Sequence, residues 1–210
     1  MKIAVLDYQL GNVRSLINAC ESLGAEVILS RDHNEILDSN GLILPGVGSF
    51  PQGIKNLEKF DLIKTVKCFV ASKKPFLGIC LGMQMLFDSS EEFGTHKGLS
   101  VIKGDVLKFP IQKLDDKKLP HVGWNEIVQD KQHNSILFRN LADNSNMYFV
   151  HSYYVSPADT SNILATTNYA GFDFCSSVIM DNIIGCQFHP EKSGKNGLII
   201  MKNFIEMCYG

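Results

Sequence analysis

The sequence predicts an α/β fold: a mostly parallel central sheet, joined at its edge by antiparallel strands from the C-terminal half. Three observations carry this. In the first half, short apolar runs alternate with stretches of helical period, the pattern of βαβ units. In the second half, short apolar runs follow one another with turn signals between them. A last helical stretch closes the chain after Ser193.

Ile3-Ala4-Val5-Leu6 is an apolar run ending at Asp7 and followed by Gly11, a buried strand and a turn. Val13, Leu16, Ile17, Cys20 and Leu23 then share one helical face, and Gly24 is a helix stop. Val27-Ile28-Leu29 and Gly41-Leu42-Ile43-Leu44 give two further strands, the latter running into Pro45-Gly46-Val47-Gly48. Residues 57–70 are helical with a break near Phe60-Asp61, residues 75–79 are a fourth strand, and residues 81–87 resume a helix. Parallel strands joined this way take right-handed crossovers, and functional groups gather at their carboxyl ends. Beyond residue 100 the apolar runs are Val101-Ile102, Val106-Leu107, Ile127-Val128 and residues 147–150, 163–165, 177–180 and 183–187. Asp181-Asn182 sits between two of them as a hairpin turn. Leu198, Met201, Ile205 and Cys208 form the stripe of the final helix, and residues 113–118, the most polar stretch, form a surface loop.

At 210 residues the chain is long enough for one compact domain with a sizeable core. Its 45% apolar and 20% charged residues are ordinary for a globular protein, and a net charge of -2 gives no reason to expect a nucleic-acid or acidic-membrane partner. No signal-peptide pattern follows Lys2, and no apolar run reaches transmembrane length, so a cytoplasmic location is expected. Reduced thiols are expected there, and five of the six cysteines (20, 68, 175, 186 and 208) read as core or near-core residues. No Cys/His spacing suits a metal.

The sixth, Cys80, lies in Gly78-Ile79-Cys80-Leu81-Gly82, a G-x-nucleophile-x-G pattern with a strand before it and a helix after it. The glycines relieve crowding at a sharp turn that strains the nucleophile's backbone and exposes it above the sheet. The helix start favours a thiolate, and the Leu81 N–H is placed to bind an oxyanion. The competing reading is a buried cysteine in an ordinary βα turn. A nucleophilic thiol needs a base, and the base needs an orienting group. Gln187-Phe188-His189-Pro190-Glu191 also follows a strand, so His189 can serve as base, with Glu191 turned back toward its ring and Pro190 stiffening the link. Alone, His-Pro-Glu is equally a surface turn. His33, His96, His121 and His133 lie in polar or loop contexts and read as solvated; His151 follows an apolar strand and is either a site or a structural residue.

Taken together, these motifs resemble the class I (triad) glutamine amidotransferases over essentially the whole chain. The elbow, extended through Met83-Gln84-Met85-Leu86, looks like that family's cysteine motif, and Gln187-Phe188-His189-Pro190-Glu191 looks like its His-x-Glu motif. The resemblance implies a flavodoxin-like three-layer fold as a single domain over residues 1–210. Many members carry Pro-Gly-Gly at the oxyanion strand. This chain has Pro45-Gly46-Val47-Gly48-Ser49-Phe50, similar to the glutaminase subunits of imidazole glycerol phosphate synthases. So are Pro120-His121-Val122-Gly123-Trp124-Asn125, His189-Pro190-Glu191-Lys192-Ser193, and the opening Asp7-Tyr8 with Gly11-Asn12.

The resemblance implies that Cys80, His189 and Glu191 are a catalytic triad that hydrolyses glutamine through a γ-glutamyl thioester, with no cofactor or metal. The oxyanion hole would use Leu81 and one N–H from Val47 or Gly48, on a peptide whose glycines make reorientation cheap. Gln84, Glu92 and the segment His151-Ser152-Tyr153 would surround the glutamine, although Gln84 reads equally as an ordinary helix residue and Glu92 as a solvated one. Trp124, Asn125 and Lys192 would face a partner, with the exposed Trp as anchor; the lone Trp could instead be core. That partner would be a (β/α)₈-barrel cyclase receiving ammonia in a heterodimer, forming imidazole glycerol phosphate and AICAR in histidine biosynthesis. No phosphate-binding motif occurs in the chain, which suits a subunit handling only glutamine. Three alternatives remain: a glutaminase serving a sugar-nucleotide aminating enzyme in surface-polysaccharide synthesis, a stand-alone cysteine hydrolase, and a catalytically silent binding module.

Overall fold

The computed structural model describes residues 2–11, 13–110, 112, 119–133 and 135–210. Asn12 of the opening motif and the polar stretch 113–118 lie outside the described residues. The first half runs β1 (Lys2–Leu6), α1 (Val13–Ser22), β2 (Glu26–Ser30), α2 (His33–Asp38), β3 (Gly41–Leu44), α3 (Phe50–Lys59), α4 (Leu62–Ala71), β4 (Phe76–Ile79) and α5 (Leu81–Gln84). The second runs β5 (Ser89–Ser90), β6 (His96–Lys97), β7 (Gly104–Lys108), β8 (His121–Gln129), β9 (Ser145–His151), β10 (Tyr153–Pro157), β11 (Ile163–Tyr169), β12 (Phe172–Met180), β13 (Ile183–Cys186) and α6 (Gly194–Tyr209).

Five strands form the parallel centre in the order β2-β1-β3-β4-β13, so the run 183–187, expected among the antiparallel edge strands, is instead a central strand parallel to β4. From β13 the sheet continues antiparallel through β12, and from β12 through β10 and β7 on one path and through β11, β8 and β9 on the other. The central strands are apolar throughout because both faces are covered. Ile3, Val5, Ile43, Leu77 and Ile79 point into a core shared with Leu16 and Cys20 of α1 and Ile200, Met201 and Phe204 of α6. Their neighbours Ala4, Leu6, Leu42, Leu44 and Phe76 point the other way, against Ile36, Leu57, Val66 and Phe69 of α2, α3 and α4. The period of two along each strand thus produces three layers.

The expected helix over 57–70 is two helices, and the first starts earlier, at Phe50. They part where anticipated: Asp61 takes a left-handed conformation, with φ 54°. The expected helix over 81–87 holds only through Gln84. Beyond it the chain tightens, and the Met85, Leu86 and Phe87 carbonyls accept bonds from Leu99, Val101, Ile102 and Ser100 instead of continuing a helix. The same bonds explain why Val101-Ile102 is no strand: both N–H groups are spent on the Leu86 carbonyl, at 2.8 and 3.0 Å. α2, capped by the Asp32 carboxylate on Asn34 and Glu35 N–H, has no apolar stripe to announce it.

Three side chains depart from expectation. Cys68 is exposed, while the other five cysteines are buried. His121 is only 2% exposed, because β8 begins at that residue and turns it inward. Leu198 is 39% exposed, leaving Met201, Ile205 and Cys208 to the core stripe of α6.

Candidate active site

β4 delivers the elbow. Cys80 has φ 53° and ψ -110°, a conformation that strains any residue with a Cβ. Its N–H donates to the Cys186 carbonyl of β13 at 2.7 Å, and its own carbonyl accepts from Gln84 N–H at 3.1 Å. The glycines are required by space: a Cβ on Gly82 would run into the Leu44 carbonyl oxygen of β3, and one on Gly78 would sit 2.9 Å from the Met83 backbone. α5 therefore lies directly on β3, and the first N–H groups of its short turn, starting with Leu81, have no intrahelical acceptor.

Because β13 is the parallel neighbour of β4, with Cys186 opposite Ile79, the segment after it emerges beside the elbow. That segment is pinned: His189 N–H donates to the Tyr148 carbonyl of β9 at 2.9 Å, and Ser193 Oγ donates to the His189 carbonyl at 2.6 Å. Pro190 then opens a single 3₁₀ turn, Pro190–Lys192, which folds Glu191 back onto the ring. His189 Nδ1 donates to Glu191 Oε1 at 2.8 Å, with the two side chains 2% and 6% exposed. Burial alone would lower the imidazole pKa, but the charge of Cys80 and the bond and charge of Glu191 outweigh it and push it up to about 10. His189 Nε2 is buried without a hydrogen-bond partner, so Cys80 acts on it chiefly as a nearby charge. The site thus holds the imidazole protonated next to the sulfur. Burial pushes the Cys20, Cys175, Cys186 and Cys208 thiols up to about 12.

A cavity of about 250 Å³ opens above Cys80. Val47, Gly48, Cys80, Leu81, Gln84, Glu92, His151, Ser152 and Tyr153 line it, together with Pro120 and Val150. Gln84, 6% exposed, donates its amide to the Tyr153 carbonyl at 3.0 Å and to Gln187 Oε1 at 2.9 Å. Both amide hydrogens are thereby committed, leaving its carbonyl oxygen to meet a ligand. Glu92 is half-buried, accepts from Phe50 N–H at 2.6 Å, and has its pKa raised by burial. His151 is buried and neutral, its pKa driven by burial down to about 3.

Trp124 is 57% exposed and is therefore no core residue. Its ring meets Tyr148 edge-on at 6.1 Å, and the exposed Lys192 ammonium lies 6.0 Å from the centre of the same Tyr148 ring. This exposed group lies over His189, whose ring is 6.5 Å from Tyr148. Asn125 is half-buried beside it, donating to the Asn168 carbonyl at 2.8 Å.

Three residues at the site were not singled out from sequence. Gln187 is fully buried and points its amide at Cys80 Sγ, 3.6 Å away. Tyr8 donates its hydroxyl to the Pro45 carbonyl, at the entry to the Gly46-Val47-Gly48 peptide. His121 bonds to His151 at 3.1 Å. The inward alternation of β8, extended back from Ile127, was the one signal that could have found His121. Among the described residues, no group of three or more His, Cys, Asp or Glu side chains is placed to hold a metal ion, and no helix is long and apolar enough to cross a membrane.

A strained cysteine elbow on a parallel sheet, with a small cavity above it and a buried His–Glu pair beside it, is the arrangement of a thiol amidohydrolase of the triad type. The family model for class-I glutamine amidotransferases matches residues 4–207, and the chain belongs to that family. Within it the chain is similar over nearly its whole length to HisH subunits of imidazole glycerol phosphate synthases. The chain is 50% identical to that of Methanosarcina barkeri over 99% of both chains, and 42% identical to that of Geobacter metallireducens over 96% of both. The fold is shared with a crystal structure of a glutamine amidotransferase at TM-score 0.75, 17% identity and 99% coverage of both chains. A Thermotoga maritima glutamine amidotransferase matches at TM-score 0.70 and 14% identity, over 100% of this chain and 99% of that one.

Proposed function

We propose that this chain, as a HisH-type synthase subunit, is a glutaminase in which Cys80, His189 and Glu191 release ammonia for a partner subunit. The observation that carries this is the Cys80 thiol, held at the base of the cavity by a strained elbow, with a protonated His189 alongside. The thiolate attacks the side-chain carbonyl carbon of glutamine. The oxygen takes the negative charge and accepts from Leu81 N–H and from one N–H of Val47 or Gly48. His189 gives its proton to the amide nitrogen, the C–N bond breaks, and ammonia leaves a γ-glutamyl thioester. Water then attacks the thioester carbon, losing its proton to His189. The C–S bond breaks, and glutamate and the Cys80 thiolate are restored. Glu191 holds the ring in one orientation and stabilises its charge.

Gln84 offers its carbonyl oxygen, Glu92 a carboxylate for the substrate's ammonium group, and the backbone of His151-Ser152-Tyr153 further partners. Trp124, Asn125 and Lys192 face the partner, a (β/α)₈-barrel cyclase that uses the ammonia to form imidazole glycerol phosphate and AICAR. The chain works as one domain, in the cytoplasm, without cofactor.

The test is glutamate release from glutamine by the purified chain, alone and with the cyclase barrel and its nucleotide substrate. A strong rise on adding both, abolished by Cys80→Ala, is expected. Turnover that survives Cys80→Ala refutes the nucleophile, and no rise with a competent barrel refutes the partner.

A further inference from the structure

A line of hydrogen bonds runs from half-buried Asn125, on the inward side of β8, to the nucleophile, and chemistry fixes the direction of each link. The Tyr153 carbonyl can only accept, so the proton on His151 sits on Nδ1, 2.9 Å away. Nε2 of that ring is then bare and accepts from His121 Nδ1, at 3.1 Å. That leaves His121 Nε2 as an acceptor facing the Asn125 amide nitrogen at 3.5 Å. From the other side the same Tyr153 carbonyl accepts from Gln84, which also donates to Gln187 Oε1, and Gln187 donates to Cys80 Sγ at 3.6 Å. No link asks an atom to donate and accept at once.

The rings are held for this purpose. His121 is stacked between Phe149, at 4.9 Å, and Tyr169, at 4.0 Å. His151 is enclosed by Phe109, Phe149 and Phe174, which keep out the water that could replace a lost partner. Burial drives the His151 pKa down to about 3, in keeping with a neutral ring.

We propose that His121 and His151 are positioning residues: a buried, one-way hydrogen-bond chain from Asn125 fixes the Tyr153 carbonyl in the cavity wall and, through Gln84 and Gln187, the direction of the Cys80 thiol. His121 does not line the cavity, so its effect on turnover reaches the site through the groups it touches, His151 first among them. The proposal rests on the glutaminase reading for its kinetic consequence but not for its geometry.

Two experiments test it. Long-range nitrogen-15 NMR of the histidine rings in the intact wild-type chain reads the tautomers directly. His151 as the neutral Nδ1–H form at neutral pH is expected; an Nε2–H form or an imidazolium overturns the chain, whatever any variant does. In the assembled synthase, His121→Phe keeps the stacked ring and removes the donor, leaving His151 Nε2 unsatisfied. Its KM for glutamine rises about tenfold, with the smaller change in kcat. His121→Gln, which retains an N–H donor, recovers most of that loss. An unchanged KM in a folded His121→Phe protein overturns the proposal. Absence of glutaminase activity in the wild type would refute the proposed function while the tautomer result still decides the chain.

Discussion

Replacing Glu191 by glutamine removes one negative charge from a pair whose side chains are 2% and 6% exposed, with almost no other atom changed. The lost interaction is a charge-assisted hydrogen bond of 2.8 Å in a dry site, about 1.5–3 kcal/mol. At about 1.4 kcal/mol per pH unit, the His189 pKa should fall from about 10 by roughly one to two units. It does not return to 6.5, because the Cys80 charge ranks ahead of Glu191 among the influences that raise it. The protonated imidazole is needed to release ammonia, so glutamate release should fall as pH rises through the His189 pKa. In the wild type that alkaline limb lies near 10; in Glu191→Gln it moves to roughly 8–9, with a rate lower by about a hundredfold or more. Stability follows the same sign. A folded-state pKa raised above 6.5 contributes stability that is complete below 6.5 and lost as pH rises through about 10, so melting temperatures should decline earlier on the alkaline side in the variant. The assay is kcat/KM for glutamine from pH 6 to 11, paired with thermal melts over the same range. Superimposable alkaline limbs would refute the coupling of Glu191 to His189.

Cys80→Ala should lose glutamate release by on the order of a thousandfold while leaving partner binding intact, read by titration of the labelled partner. Gly82→Ala drives a Cβ into the Leu44 carbonyl and should cost about 1–3 kcal/mol in denaturant unfolding; unchanged stability would mean α5 does not sit on β3 as described. Trp124→Ala should leave the melting temperature nearly unchanged and weaken complex formation by about 2 kcal/mol or more, measured by calorimetry. Undiminished affinity would remove Trp124 from the partner face.

Where local pattern and burial agree, the sequence was legible. The central strands are continuous apolar runs because helices cover both faces, and their ends could be read from Asp7, Pro45, Cys80 and Gln187. The break at Phe60-Asp61 was visible, but the start of α3 at Phe50 was not, since Pro51, Gln52 and Gly53 interrupt any apolar period. Val101-Ile102 failed as a strand because its N–H groups answer to the Leu86 carbonyl, fifteen or so positions earlier in the chain.

The sequence by itself determined the form of the cysteine elbow, the His-Pro-Glu turn and the strand–helix alternation of the first half. Each depends on residues within a few positions of one another, and so on backbone sterics and hydrophobic period. Only the tertiary structure decided which distant groups meet. It alone turned His121 inward to His151, aimed Gln187 at Cys80, tied Tyr8 to Pro45 and brought Glu92 to the Phe50 amide. Those contacts join residues 30 to 107 positions apart, and the force that makes them is the need of each buried polar group for a partner, which no local pattern records.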